Sequence, residues 1–148
     1  MDVLVRAGIV VGLLLVTVVL GVWWQRREGR VREPPASDGR RAATGGFSLE
    51  HLEEVGLHRD GANALGLLLG SPTCAPCVQV KEVLGEMAQE RQGFRWAYID
   101  AGDHLALARA HHVMRVPTLF LIDPDDGRIL ARTSGVPAKR DLDAVLDR

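Results

Sequence analysis

The pattern of apolar and polar positions divides the chain into three parts. From Ala7 to Trp24 the sequence is apolar apart from Thr17, and this length approaches the ~20 residues that a helix needs to cross a bilayer. The next segment is charged, contains Pro34-Pro35 and lacks apolar periodicity, which is typical of a tether that buries too little surface to fold. The pattern predicts a transmembrane anchor over residues 1–24, a linker over 25–46 and a folded domain over 47–148.

The first segment has further features of an uncleaved membrane anchor. Trp23 and Trp24 stand where an aromatic belt meets lipid headgroups. A signal peptide needs a small-residue cleavage site, whereas this run ends in Trp-Trp-Gln-Arg-Arg. We therefore predict a single-pass membrane protein that contacts the membrane through residues 3–24. The arginines that follow favour a cytoplasmic domain by the positive-inside rule, with the extracytoplasmic side as the alternative.

The rest of the chain alternates between strand-like and helix-like patterns. Short apolar runs predict strands, and apolar positions at helical spacing predict helices. The helix over 104–112 is expected to turn Leu105, Ala108 and His112 inward. Of the adjacent His111 and His112, one is expected to pack and the other to be exposed. In chain order we predict helix 47–55, strand 65–69, helix 74–89, strand 94–99, helix 104–112, strand 118–122, a hairpin turn at 125–127, strand 128–133 and helix 141–146. This order predicts an α/β fold with a mixed central sheet.

Composition excludes some classes of function and leaves others open. The formal net charge is −1, and the domain has no basic surplus that would favour nucleic acid. Only two cysteines occur, Cys74 and Cys77. A disulfide between residues this close closes a tiny loop and stabilises little. Redox chemistry is therefore the better explanation for the pair.

The Cys-X-X-Cys motif follows a predicted buried strand and opens a predicted helix. Disulfide exchange requires a thiolate, and a helix N-terminus stabilises an anion. Cys74 stands at that end and is predicted to be the nucleophile, while Cys77 lies one turn further in and is predicted to resolve the mixed disulfide. Ala75 and Pro76 shape the motif, since a proline is tolerated in the first helical turn.

A second motif, Val116-Pro117-Thr118, begins the third predicted strand. A proline at the start of a strand that faces a redox helix is a candidate for a cis peptide bond. In that geometry the backbone beside Cys74 is available to pair with an extended substrate segment. Val116 and Pro117 are therefore predicted to contact the substrate.

These motifs together resemble the thioredoxin superfamily over roughly residues 60–148. The resemblance rests on Cys74-Ala75-Pro76-Cys77, on Val116-Pro117-Thr118, on Asp100 and on the glycines Gly127 and Gly135. With the apolar segment in front, the chain is also similar to membrane-anchored thioredoxin-like proteins of cytochrome maturation and methylamine utilisation. The resemblance implies a three-layer α/β/α fold and no cofactor. It also implies an attacking Cys74, a resolving Cys77 and a cis peptide bond before Pro117.

The chain departs from typical thioredoxins at several positions. Thr73 replaces the tryptophan before the first cysteine and is assigned to substrate binding, and Ala75 replaces a glycine. The family's buried acid falls at Leu68 and its lysine near Trp96. These departures favour exchange with one specific protein partner over general thioredoxin activity on many substrates.

The expected function is thiol–disulfide exchange with protein substrates, with a reductase or oxidase partner restoring the starting state. Two alternatives remain open. The first is a redox-regulated binding module, and the second is a Cu(I) or Zn chaperone that uses Cys74 and Cys77. No metal site is predicted, because structural zinc usually requires four protein ligands and no second Cys-X-X-Cys exists.

Overall fold

The fold is known from a computed structural model, which describes residues 3–27 and 46–148, with side chains of the first range described only for residues 8–23. The predicted linker, residues 25–46, lies almost entirely outside the described residues. The division at residues 24 and 46 therefore stays a prediction.

The N-terminal apolar segment forms helix α1, Val3–Arg27, as its pattern predicts. Among the described parts of the chain, however, no helix is long and apolar enough to cross a membrane. The prediction of a single-pass membrane protein with a cytoplasmic domain is therefore wrong. The predicted transmembrane anchor and the membrane contact through residues 3–24 are not supported.

The remaining elements follow the predicted order, with small shifts at their ends. They are α2 (Leu49–Glu54), β1 (Ala64–Gly70), α3 (Ala75–Glu90), β2 (Phe94–Asp100), α4 (Leu105–Ala110), β3 (Thr118–Ile122), β4 (Ile129–Ser134) and α5 (Lys139–Leu146). The strands form one sheet in the order β2-β1-β3-β4. β1 is parallel to β2, whereas β3 is antiparallel to both β1 and β4. The mixed sheet of the predicted α/β fold is confirmed.

Strand β1 lies at the centre of the domain and separates two cores. All seven of its residues are buried, and alternate side chains point to opposite faces of the sheet. We call one side the α3 face; its buried residues are Ala64, Leu68, Val80, Leu84, Met87, Phe94, Leu119, Leu121, Ala131 and Leu142. We call the other the α4 face; its buried residues are Phe47, Leu52, Leu57, Leu65, Leu67, Leu69, Ile99, Ala108, Phe120 and Ile122. Helices thus cover both sides of the sheet.

The β3–β4 hairpin also holds the start of the domain in place. The backbone N–H of Phe47 donates to the carbonyl of Gly127 at 2.9 Å. Gly127 has φ 72°, and a Cβ there would lie 2.1 Å from the Phe47 carbonyl oxygen. Only glycine fits both the left-handed backbone and this close approach. The predicted turn at residues 125–127 is confirmed.

Helix α4 is shorter than predicted, and its inward residues differ. Ala108 is buried as expected, but Leu105 is 52% exposed and His112 is exposed as well. His112 takes a positive φ of 49° directly after the helix ends, so it does not continue the helical face. His111 is the histidine that packs: its ring stacks on Phe47 with centroids 3.9 Å apart.

Candidate active site

The two cysteines lie at the junction between β1 and α3. Cys74 is the N-cap residue of α3, and its side chain makes no capping hydrogen bond. Its backbone N–H donates to the Ser71 carbonyl at 3.1 Å, which closes the turn that leads into the helix. Cys74 therefore stands at the N-terminal end of α3, where the positive end of the helix dipole lies. Such a position stabilises a thiolate, both by hydrogen bonding and by the helix dipole.

Cys74 and Cys77 form a disulfide with Cα atoms 5.4 Å apart. Cys74 is half-buried, whereas Cys77 is only 3% exposed. Pro76 occupies the first turn of the helix, where its missing N–H leaves no hydrogen bond unmade, and Ala75 and Pro76 are both exposed. The outer sulfur is thus the one that an incoming disulfide can reach.

The Val116–Pro117 segment lies at the same edge of the sheet as the cysteines. Thr118, the first residue of β3, pairs with Leu69 near the end of β1, and the cysteine turn follows directly after β1. The Val116–Pro117 peptide bond is cis. Pro117 is buried while Val116 is half-buried. The substrate-binding roles predicted for Val116 and Pro117 stay predictions, as does that of the exposed Thr73.

Thr118 fixes the geometry of this segment. Its side chain is fully buried, its Oγ1 donates to the Arg115 carbonyl at 2.8 Å, and it lies 3.2 Å from the Ser134 hydroxyl. The Gly135 N–H donates to the Pro117 carbonyl at 2.9 Å. Two strands therefore hold the proline in position. This role of Thr118 was not predicted from the sequence, although a hydroxyl directly after a strand-opening proline signals such a bond.

Exposed apolar side chains occur in the chain segments next to Cys77, Pro117 and Gly135. Val78 follows Cys77 and is 57% exposed, Met114 precedes Pro117 by three residues and is 90% exposed, and Val136 follows Gly135 and is 37% exposed. Apolar side chains around a reactive sulfur suit contact with a protein segment. These residues were not predicted from the sequence, because exposure of a single apolar residue has no pattern along the chain.

The interior behind the disulfide is apolar where the thioredoxin resemblance places ionisable groups. Leu68 is fully buried, and Trp96 packs against the α3 face. A different set of side chains approaches Cys77. A Cβ placed on Gly70 would lie 2.5 Å from Tyr98 Cε2 and 2.9 Å from Cys77 Sγ, so the ring edge and the sulfur both lie against this glycine. Lys81 Nζ lies 3.5 Å from the centroid of the Tyr98 ring.

The residues from 46 to 148 place no group of three or more histidine, cysteine, aspartate or glutamate side chains in a position to hold a metal ion. Cys74 and Cys77, which are joined to each other here, therefore gain no third protein ligand from that part of the chain.

Comparison with known proteins agrees with this description of the fold. No protein-family model and no curated protein matches the chain. Among solved structures, a mutant thioredoxin from Halobacterium salinarum NRC-1 is 25% identical, with 70% of this chain and 85% of that chain covered and a TM-score of 0.55. Thioredoxin-2, described as a component of malaria parasite protein secretion machinery, is 20% identical, with 57% and 82% covered and a TM-score of 0.52. A further malarial protein is 20% identical, with 57% and 94% covered and a TM-score of 0.51.

The fold is therefore thioredoxin-like. The Halobacterium thioredoxin and the Cys74–Cys77 disulfide support a thiol oxidoreductase in general.

Proposed function

We propose that the protein is a thiol–disulfide oxidoreductase in which Cys74 attacks a protein disulfide and Cys77 resolves the product. The observation that carries this proposal is the asymmetry of the pair. The N-cap sulfur of α3 is partly accessible, and the second sulfur is buried one turn below it.

The reaction proceeds in two exchanges. The Cys74 thiolate attacks one sulfur of the substrate disulfide, so a bond forms between Cys74 and the substrate while the substrate's own S–S bond breaks. The released substrate thiolate takes a proton from solvent. The Cys77 thiolate then attacks Cys74 Sγ, which forms the Cys74–Cys77 bond and releases the second substrate thiol. Two electrons pass from the dithiol to the substrate, and the reverse sequence oxidises a substrate dithiol.

The surroundings of the pair support a protein as the substrate. Val78, Met114 and Val136, in the segments next to Cys77, Pro117 and Gly135, expose apolar side chains, and the backbone around Pro117 offers groups to an extended chain. A dithiol or disulfide protein would restore the starting state, acting as reductase or oxidase according to the potential of the couple. We propose that Thr73 and Val116 lie in the contact region.

A redox titration of the full-length chain tests the proposal. The protein is equilibrated in graded thiol–disulfide buffers, and free thiols are alkylated and counted by mass spectrometry. We expect one reversible two-electron couple that involves Cys74 and Cys77. Failure to form the internal disulfide across the range would overturn the proposal and would direct attention to Cu(I) or Zn binding by the two thiols.

Cysteine variants test the assigned roles. Cys77→Ser is expected to accumulate a mixed disulfide between Cys74 and the substrate, because the resolving sulfur is missing. With Cys74→Ser, we expect a disulfide substrate to be reduced no faster than by the small-molecule thiol of the buffer alone, because the remaining sulfur is buried. Non-reducing electrophoresis and mass spectrometry distinguish the two. Trapping through Cys77 instead of Cys74 would reverse the assignment.

A further inference from the structure

In the reduced protein, the surroundings of Cys77 disfavour its thiolate form. Cys77 is 3% exposed, and burial raises the pKa of a thiol because it disfavours the charged form. Nearby carboxylates act in the same direction. Burial, followed by Asp100 and Asp103, raises the pKa of the neighbouring Tyr98 phenol. β1 and β3, which lie behind the pair, contain no titratable side chains. A positive charge close to Cys77 would oppose these effects.

Lys81 is placed to supply that charge. It lies four residues after Cys77 on α3, and residues at this spacing share a helix face with Cβ atoms ~5–6 Å apart. Its ammonium lies over the Tyr98 ring, 3.5 Å from the centroid. The ring edge and Cys77 Sγ both lie against Gly70, 2.5 and 2.9 Å from the position that a Cβ would take there. Tyr98 thus fixes a half-buried lysine on the side of α3 that carries the resolving thiol.

We propose that Lys81, held over the ring of Tyr98, stabilises the Cys77 thiolate during resolution of the mixed disulfide. Tyr98 is a positioning residue that acts through Lys81. In this step the Cys77 proton passes to water, the Cys77 thiolate attacks Cys74 Sγ, the Cys74–Cys77 bond forms and the bond from Cys74 to the substrate breaks. The substrate leaves as a thiolate and takes a proton from solvent. The inference rests on the proposed function, because it concerns the second of the two exchanges.

The test follows each exchange separately in the full-length protein. Reduced protein is mixed with 5,5′-dithiobis(2-nitrobenzoate), and release of thionitrobenzoate is followed by stopped-flow absorbance. The first release reports attack by Cys74, and the second reports resolution by Cys77. The rate of the second release is then measured as a function of pH.

We expect Lys81→Met to slow the second release at pH 7 by about 5- to 10-fold and to move its pH midpoint upward, since a shift of one pKa unit is a tenfold change. The first release should change by less than about twofold, because Cys74 has its own stabilisation at the helix N-terminus. Lys81→Arg keeps the charge and should restore most of the rate. Tyr98→Leu should move the midpoint in the same direction by a smaller amount, since the ammonium loses its ring.

The control is Lys139→Met, which removes the other lysine of the chain. Lys139 lies on α5 and pairs with Glu90, so its loss should leave the second release unchanged. A Lys81→Met profile that superimposes on the wild-type profile overturns the inference, as does failure of Lys81→Arg to restore the rate. A wild-type protein that shows no second release and no internal disulfide overturns the proposed function instead.

Discussion

The two faces of the central sheet are both packed with apolar side chains, yet they differ in what else they contain. On the α4 face the polar groups include His111 and Arg132, which lie around Phe120. On the α3 face they include Cys77, Lys81 and Tyr98, which lie near the end of β1. The polar groups of the α4 face connect elements of the fold to one another. Those of the α3 face lie near Cys77 Sγ, which forms or breaks a disulfide bond during the proposed reaction.

The glycines of β1 account for much of this difference. Gly66 and Gly70 alternate with Leu65, Leu67 and Leu69, so both glycines point to the α3 face. A Cβ on Gly66 would lie 3.1 Å from the Phe94 ring, and one on Gly70 would meet Tyr98 and Cys77. Three of the four leucines of β1 thus lie on the α4 face, whereas on the α3 face the two glycines let aromatic rings and a sulfur lie close to the backbone. Substitutions on the α4 face should change stability alone, and substitutions near Gly70 should also change the redox couple.

The largest effect on stability is expected from Phe120→Ala on the α4 face. Phe120 is 1% exposed, and truncation of a buried phenylalanine costs about 3–5 kcal/mol in the free energy of unfolding. Urea unfolding of the oxidised protein measures the loss. Phe120→Leu serves as the milder variant if the alanine variant does not fold. The redox potential of either variant should stay within about 10 mV of wild type, because Phe120 lies on the face of the sheet away from Cys77. For a two-electron couple, 30 mV corresponds to ~1.4 kcal/mol. A larger shift would remove the distinction between the faces.

Gly70→Ala tests the α3 face and should affect both properties. The added methyl would lie 2.9 Å from Cys77 Sγ, and such overpacking costs about 1–3 kcal/mol. The Cys74–Cys77 bond holds Cys77 Sγ in the oxidised state, whereas reduction frees it. We therefore expect the methyl to destabilise the two redox states by different amounts and to shift the redox potential. Gly85→Ala is the matched control, as Gly85 lies within α3 and a Cβ there meets nothing within 4 Å. It should stabilise the helix by about 0.5–1 kcal/mol and leave the potential unchanged.

Much of the domain follows from patterns that are local in the sequence. The apolar runs of β1 and β3 predict buried strands, and the glycine at 127 predicts the hairpin that β3 and β4 form. The motif of Cys74 and Cys77 predicts a redox pair at a helix start, and the disulfide is present there. These predictions succeed because a strand, a turn or a helix end depends mainly on neighbouring residues.

The predictions that failed depend on more than local pattern. Leu105 has the spacing of an inward residue, but α4 ends at Ala110 and only part of its face packs. The apolar run of α1 suggested a membrane span, which the described residues do not provide. The approach of Tyr98 to Cys77 and Lys81 has no local signal either, since it brings β2 next to α3 across a glycine of β1. Such a cluster becomes visible only once the sheet register is known.

A smaller effect is expected from Arg132→Met on the α4 face. The Arg132 guanidinium donates to the carbonyls of His111 and His112 at 2.9 and 2.8 Å, and it lies 5.2 Å from the Phe120 centroid. Loss of these interactions should cost about 1–2 kcal/mol in the free energy of unfolding. The exposed Arg109→Met on α4 is the control and should stay within about 0.5 kcal/mol of wild type. A redox shift in Arg132→Met would show that the two faces are coupled.

The smallest effect concerns the pH dependence of the α4 face. Burial, followed by the charge of Arg132, lowers the pKa of His111 below its usual 6.5, so the folded state holds the neutral imidazole while the unfolded chain protonates first. Between the lowered pKa and 6.5 the unfolded state binds more protons, and the free energy of unfolding must therefore fall as the pH falls through this window.

His111→Phe keeps an aromatic ring beside Phe47 and removes the titration, so its unfolding free energy should depend less steeply on pH between 6.5 and 5 than that of wild type. His58→Gln, at an exposed position, should retain the wild-type slope. Urea unfolding at several pH values measures all three proteins. Equal slopes for His111→Phe and wild type would mean that His111 is protonated as readily in the folded state as in the unfolded chain. Its stacking on Phe47 would then have to accommodate the imidazolium, and the α4 face would be less sealed from water than its packing indicates.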